Sequence, residues 1–432
     1  MLKLITCNKS NYEKKLFSYV NNVSINNKKR SEIVSNIIKK IKKNKNTALL
    51  NYSNELENNN FKNIKGLKVT PKEISNASSQ CSQAFHDSVK LAVQRIMSYQ
   101  KKLMPRNLYY KDKLGIKLGS IWSPLASCAL YVPGGKALYP SSVLMNAIPA
   151  KVAGVKRIVI TTPANNNQLS PEILVAANAV GINEIYKIGG AQAIAALAFG
   201  TESIKRVDKI VGPGNSFVTE AKKQLYGYVG IDSIAGPSEI LVIADRHNNP
   251  KWVAMDLLSQ AEHDEEARAI LISNSKDFIN KVNKCLLNFL KSINRTKIAT
   301  KSIKKNGLAI LIKDINIAHC IANYIAPEHL EIMTKNKKSL AKKIINAGAI
   351  FMGEYTPEAF GDYIAGPSHV LPTSGNARFD SGLSVLDFLK RTSYIEANKI
   401  GLKNTLHSIE TLGNSEGLDA HVKSAKIRFS KD

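Results

Sequence analysis

Acidic residues are scarce in this 432-residue chain, with 34 Asp and Glu against 61 Lys and Arg and a formal net charge of +27. A deficit of acid invites a polyanionic partner, because a basic surface attracts phosphates. The cations, however, come as Lys runs such as Lys39-Lys40-Ile41-Lys42-Lys43-Asn44-Lys45 and Lys335-Asn336-Lys337-Lys338. The runs sit beside apolar positions at helical spacing, for example Ile33, Ile37 and Ile41, and lack interleaved aromatics or Arg clusters. They read as solvated helix faces enriched by compositional drift, and no nucleic-acid partner is expected.

Cysteine is also sparse. Cys7, Cys81, Cys128, Cys285 and Cys320 are odd in number, scattered and free of any Cys-x-x-Cys pair. That argues against a disulfide framework or a Cys-ligated zinc, and for reduced thiols in a cytoplasm. No run approaches the roughly 18 uninterrupted apolar residues of a membrane helix. Met1 to Lys9 holds no sustained apolar stretch, so no signal peptide is expected. The dinucleotide fingerprint G-x-G-x-x-G is missing too, because from Gly212 onward its last glycine is replaced by Phe217.

What the chain does have is length and alternation. At about 150 residues per domain it would form about three. Residues 1 to about 110 show apolar positions every three or four residues, broken by Asn58-Asn59-Asn60, and read as a helical layer. From about 120, short apolar runs alternate with helical stretches. Expected strands are Cys128–Val132, Arg157–Thr162, Glu184–Ile188, Lys209–Val211, Ile240–Ala244, Arg268–Ile272, Leu308–Ile312 and Ala349–Met352, with helices such as Ser141–Val152 and Pro171–Val180 between them. That alternation predicts an α/β chain with parallel sheets. After about 380 the pattern returns to helix, over Ile400–Leu412 and Glu416–Arg428. Ile234-Ala235-Gly236-Pro237-Ser238 recurs as Ile364-Ala365-Gly366-Pro367-Ser368. This suggests two related α/β domains, each carrying the turn at a shared cleft.

Several motifs could carry chemistry. Gln260 and His263 stand three apart in a helical stretch and face one way, but two donors do not hold a zinc ion, which needs three or four. Asp362 and His421 could complete a set, though spacing does not select them. Glu328-His329 follows Pro327. The pair reads as a turn or helix start that brings a carboxylate and an imidazole together, or as a favourable acid at a helix N-terminus. Gly189-Gly190-Ala191-Gln192-Ala193 and Gly212-Pro213-Gly214-Asn215 each follow a strand and open a helix, as phosphate turns and ordinary βα loops both do. Cys128, beside Tyr131-Val132-Pro133-Gly134-Gly135, is either a nucleophile for aldehyde oxidation or a small buried thiol; no base adjoins it in sequence, which favours the second.

In order and spacing the motifs say more. The Tyr131, Gly189 and Val211-Gly212-Pro213-Gly214-Asn215 blocks precede Ala235-Gly236-Pro237-Ser238-Glu239 and Leu258-Ser259-Gln260-Ala261-Glu262-His263. Ala326-Pro327-Glu328-His329-Leu330, Gly361-Asp362-Tyr363, Ala365-Gly366-Pro367-Ser368-His369 and Glu416-Gly417-Leu418-Asp419-Ala420-His421 follow. Together they resemble the histidinol dehydrogenase family over essentially the whole chain, most weakly before residue 110.

The resemblance implies two incomplete Rossmann-like domains with parallel sheets, plus smaller helical N-terminal and C-terminal segments. It divides the chain at 1–110, 111–240 (contacting NAD), 241–380 (zinc and catalytic residues) and 381–432, the last reaching a partner in a homodimer. It further implies one zinc ion per subunit at Gln260, His263, Asp362 and His421, and NAD contacts at Tyr131, Gln192 and Asn215. Substrate contacts are implied at Ser238, Gln260, His263, Glu328, Asp362, His369, Glu416 and His421. The implied chemistry is oxidation of L-histidinol to L-histidine through a bound aldehyde, reducing two NAD, with His329 as base and Glu328 activating water. Competing readings are a basic nucleic-acid binder, a dehydrogenase using Cys128 covalently, and a catalytically inactive relative.

Overall fold

A computed structural model describes residues 1–21, 28–57, 59–134 and 139–430; Asn58 of the Asn-rich loop and Gly135 of the Tyr131 motif lie outside the described residues. Two parallel sheets organise the chain. The first holds β4 (Ser127–Tyr131), β5 (Arg157–Thr162), β6 (Ile185–Lys187), β7 (Lys209–Val211) and β8 (Gly230–Ile231), in the order β6-β5-β4-β7-β8. The second holds β1 (Lys3–Thr6), β9 (Glu239–Ile243), β10 (Arg268–Ser273), β11 (Leu308–Leu311), β12 (His329–Ile332) and β13 (Ala349–Met352), in the order β1-β11-β10-β9-β12-β13. With β1 set aside, the two orders match. In each, the first strand is central, the next two run outward on one side and the last two on the other.

The strands are continuous apolar runs because both faces of each sheet are covered. In β9 and β10, Ile240, Val242, Ala269 and Leu271 pack towards α9 (Pro250–Ala261), α10 (Lys276–Phe289) and α11 (Thr296–Asn306). Their neighbours Leu241, Ile243, Ile270 and Ile272 pack towards α1 (Tyr12–Asn21), α12 (Ala318–Ile325) and α13 (Lys337–Ala341). This is the two-residue period of a strand, apolar at both phases. The five-stranded sheet is covered on one side by α3 (Pro71–Ser78), α4 (Gln83–Lys102), α5 (Pro140–Ala153) and α6 (Pro171–Ala179). On the other lie α2 (Lys28–Glu57), α7 (Gly190–Phe199) and α8 (Ser216–Leu225).

The structure departs from the sequence expectations in four places. The N-terminal region is not all helix, since β1 pairs with β11 across more than 300 residues and adds an edge to the second sheet. A third, antiparallel sheet is formed by β2 (Leu108–Lys111), β3 (Lys117–Pro124) and β14 (Leu389–Glu396). Within α2, Ile33 is exposed; Val34, Ile37, Ile38 and Ile41 form the buried stripe, with Lys39, Lys40, Lys42 and Lys43 in solvent as expected. Finally, the repeated pentapeptide does not mark equivalent points of two domains. Ile234–Ser238 leads into β9, whereas Ile364–Ser368 follows α14 (Glu358–Tyr363) and rests on Arg95 of α4 and Met145 of α5. The internal repeat lies in strand order, not in that sequence.

The last elements, α15 (Lys399–Ser415) and α16 (Asp419–Lys426), form a hairpin closed by a Lys426–Glu410 ion pair at 3.3 Å.

Candidate active site

At the N-terminal end of the second sheet, adjacent strands β9 and β12 begin with Glu239 and with His329, preceded by Glu328. Pro327-Glu328-His329 is therefore a strand entry and not a helix start. Ala326 before it is left-handed (φ 54°), and the turn sends both acidic and imidazole side chains into the interior. His329 Nδ1 lies 3.1 Å from the Glu239 carbonyl, which accepts only, so Nδ1 carries the hydrogen and Nε2 the lone pair. Nε2 is buried without a hydrogen-bond partner among the described residues. Burial drops the imidazole pKa to about 3, so it is neutral at physiological pH.

Carboxylates crowd this ring. Glu328 Oε2 lies 3.8 Å and Glu358 Oε1 3.6 Å from Nδ1, and Asp362 Oδ1 lies 3.8 Å from Nε2. Glu358 and Asp362 sit four apart on α14 and share a face. Burial pushes Asp362 up to about 7. It lifts Glu328 and Glu358 well above the usual carboxylate range, helped by mutual repulsion among the acids. Glu239 is raised to about 7 by burial despite Arg268 at 3.3 Å. Behind Glu358, the Glu331 carboxylate accepts its backbone N–H at 2.8 Å and hydrogen-bonds Asp256, whose pKa burial raises to about 6.

Gln260, in the last turn of α9, points into the same group. In the orientation that satisfies both ends of its amide, the nitrogen donates to both Glu358 oxygens and the oxygen accepts from Glu239 N–H at 3.1 Å, a hydrogen shared with Glu328 Oε2 at 2.9 Å. His263 lies just past the C-cap of that helix, open to solvent on its outer side and lowered in pKa by crowding and by Arg295. It is close enough to His329 and His369 to disfavour their protonation. His369 is held between the Asp362 carbonyl (3.0 Å) and Ser142 Oγ (3.2 Å), and burial lowers its pKa to about 4. Ser238 immediately precedes Glu239, and its carbonyl accepts from Arg268 N–H.

The chain thus gathers Gln260, His263, Glu328, His329, Asp362 and His369, with Ser238 next to Glu239 in the chain. It does not bring in Glu416 or His421, which stand exposed on the C-terminal hairpin and make no side-chain hydrogen bond to the cluster among the described residues. Sequence reasoning missed Glu239, Glu358, Glu331, Asp256 and Ser142; only the four-residue spacing of Glu358 and Asp362 was legible.

These donors fit a cation. His329, Glu358 and Asp362 offer ligand atoms within 4.8 Å of one another. Among the described residues, no Lys or Arg forms an ion pair with Glu328, Glu358 or Asp362. Buried acids that repel each other and lack a cationic side chain suit a dication.

The second group of expected residues lies at the C-terminal end of the first sheet. Gly190 N–H donates to Tyr131 Oη at 3.2 Å, and Gln192 Nε2 donates to Glu57 at 2.8 Å. Pro163 packs so closely that a Cβ on Gly134 or Gly189 would come within 2.7 Å of it, which explains the glycines. Asn215 is the N-cap of α8, accepting from Phe217 and Val218 N–H. The turn before it is braced by Asp232, which accepts from Gly212 N–H and pairs with buried Lys222. Among the described residues Gln192 Oε1 is buried and unpartnered, an orphan that a polar ligand would satisfy. Cys128 is buried in β4, and burial pushes its thiol up to about 12, the reverse of an activated nucleophile.

Comparisons with known proteins identify the family. The family model for histidinol dehydrogenase matches residues 21–429. Histidinol dehydrogenase 1 of Trichormus variabilis is 51% identical over 356 residues, 82% of this chain and 83% of the relative. The histidinol dehydrogenase of Agrobacterium fabrum is 48% identical over 399 residues, 92% of each chain. The crystal structure of histidinol dehydrogenase from Elizabethkingia anophelis superposes with a TM-score of 0.93 at 33% identity, covering 99% of this chain and 98% of that one. With its parallel sheets, its buried imidazole–carboxylate cluster and these relatives, the chain belongs to the histidinol dehydrogenase family of oxidoreductases.

Proposed function

We propose that the protein is a cytoplasmic, homodimeric, zinc- and NAD-dependent histidinol dehydrogenase that converts L-histidinol to L-histidine at the end of histidine biosynthesis. The observation that carries this reading is the acid cluster around His329, which no Lys or Arg among the described residues pairs with and in which the Nε2 lone pair has no partner among them. Zinc, held by Gln260, His263 and Asp362 with His421 of a second copy, would supply a Lewis-acidic anchor for the imidazole and amine nitrogens of the substrate. NAD, at Tyr131, Gln192 and Asn215, would accept hydride in two rounds.

The chain's own residues do the rest. His329 is fixed by the Glu239 carbonyl with Nε2 free, so it can take the alcohol proton as hydride leaves; Asp362 and Glu358, less than 4 Å away, stabilise the imidazolium. Glu328 draws a proton from water attacking the retained aldehyde, and His329 takes another in the second oxidation. Ser238, His369 and Glu416 complete the substrate's surroundings, and enclosure keeps the reactive aldehyde from escaping. What supports a shared site is the exposure of apolar side chains along the C-terminal segment: Ile400, Leu412 and Ile427 are each more than 60% exposed, surface that a second copy would cover. All five cysteines are free, consistent with a reducing compartment.

The test is NADH formation from L-histidinol by the purified protein, with chelator and then with added zinc. Two NADH per histidinol, lost on chelation and restored by zinc, is the expected result. No NADH with zinc present would make the chain an inactive or repurposed member of the family.

A further inference from the structure

Glu57 closes α2 and reaches the turn that opens α7. Its Oε1 accepts from Gly189 N–H and from Gln192 Nε2–H, both at 2.8 Å, and Ala164 N–H also bonds the carboxylate. A helix N-terminus ordinarily attracts an external anion. Here the chain supplies its own, so that place is taken.

The second consequence falls on Gln192. Burial pushes the Glu57 carboxyl up to about 7 against these hydrogen bonds; its ionised form only accepts, and the Gln192 amide turns its NH2 towards it. The other end, Oε1, is then fixed in a buried position with no hydrogen-bond partner among the described residues. It lies directly over Gly190, where a Cβ would approach to 2.5 Å, and the left-handed φ of +64° at that residue favours glycine again. Tyr131, whose hydroxyl accepts from Gly190 N–H, stands beside it.

We infer that Glu57 is a positioning residue for the dinucleotide: it turns the Gln192 amide so that its oxygen meets the cofactor, and the cofactor group met there is a hydroxyl or amino donor rather than a phosphate. This rests on the NAD reading above. A phosphate would face an amide oxygen and a carboxylate, acceptors both; a ribose hydroxyl or an amino group satisfies the orphan.

The test is a fluorescence titration of the full-length, zinc-loaded protein with NADH, without histidinol. E57Q keeps the shape but removes the charge and allows either end of the new amide to face Gln192, so affinity should fall roughly tenfold, the scale of one charge-assisted hydrogen bond. E57A, which removes the acceptor altogether, should show a fall at least as large and serves if E57Q does not fold. Because Glu57 acts through Gln192, neither substitution should weaken binding further in a Q192A background. Wild-type affinity in E57Q and E57A would overturn the inference. So would an undiminished loss in the Q192A background, which would make Glu57 a structural prop. A wild-type protein that binds no NADH would instead sink the cofactor reading, and this inference with it.

Discussion

The two parallel sheets share a strand order and use opposite ends. In the five-stranded sheet the candidate cofactor residues follow the C-terminal ends of β4, β6 and β7, the usual place for a ligand beside a switch in strand order. In the six-stranded sheet Glu239 and His329 stand at the N-terminal ends of β9 and β12, and the acid cluster gathers there. One architecture therefore supports two kinds of site. Where the strands end, glycine turns and helix N-termini offer backbone N–H groups; where they begin, carboxylate and imidazole side chains converge in low dielectric. Each end also holds a glutamine whose NH2 is taken by a buried glutamate, Gln192 by Glu57 and Gln260 by Glu358; the Gln260 oxygen accepts from Glu239 N–H, whereas the Gln192 oxygen has no partner among the described residues.

The largest break in this comparison should come from H329A. Losing a general base costs about 10²–10⁴-fold in kcat, yet His329 is not among the proposed zinc ligands and lies at the other sheet's opposite end. Steady-state rates, metal content and NADH titration should show catalysis lost with zinc and NADH binding intact. A metal-free H329A protein would make this histidine structural.

A smaller and more selective effect is expected from E358Q. It replaces one of the two oxygens that accept from Gln260 with a donor NH2 and removes the charge, and weakening of such a ligand-orienting partner costs about 10–100-fold in metal binding. Competition with a chromogenic chelator should show the loss, while NADH affinity stays at the wild-type value. Equal damage to both would deny the two ends their independence.

The least effect should come from C128S. Cys128 is the second residue of β4, near the N-terminal end of the five-stranded sheet and roughly where Glu239 and His329 stand in the other. If strand order alone assigned chemistry, this thiol would react. Its pKa is pushed up to about 12, so at pH 8 hardly any thiolate forms. C128S should keep most activity, and iodoacetamide should leave Cys128 unmodified by mass spectrometry. Loss of activity in C128S together with alkylation of Cys128 would put the chemistry on the other sheet.

The contrast between the ends also explains what the sequence disclosed. All eight expected strands are present, because strands buried on both faces announce themselves as apolar runs. The strands it hid are those without that signature: β1, β2, β3 and β14 contain no buried position, β8 spans two residues, and β12 is interrupted by Glu331, a buried acid that reads as polar. Glycine turns at the cofactor end were visible as motifs. At the other end, Asp256, Glu331, Glu358 and Glu239 lie far apart in sequence and converge only in space, so no spacing could gather them. Glu57 was equally hidden, 135 residues from its partner Gln192.

The most direct test is to remove the metal and ask what each end still binds. Calorimetric titration with L-histidinol and fluorescence titration with NADH would be run on the zinc-loaded and the chelator-treated protein. The account predicts that histidinol binding disappears with the metal and returns with zinc, while NADH affinity is the same throughout. NADH binding lost together with the metal, or histidinol bound equally well without it, would contradict the division of labour between the two sheets.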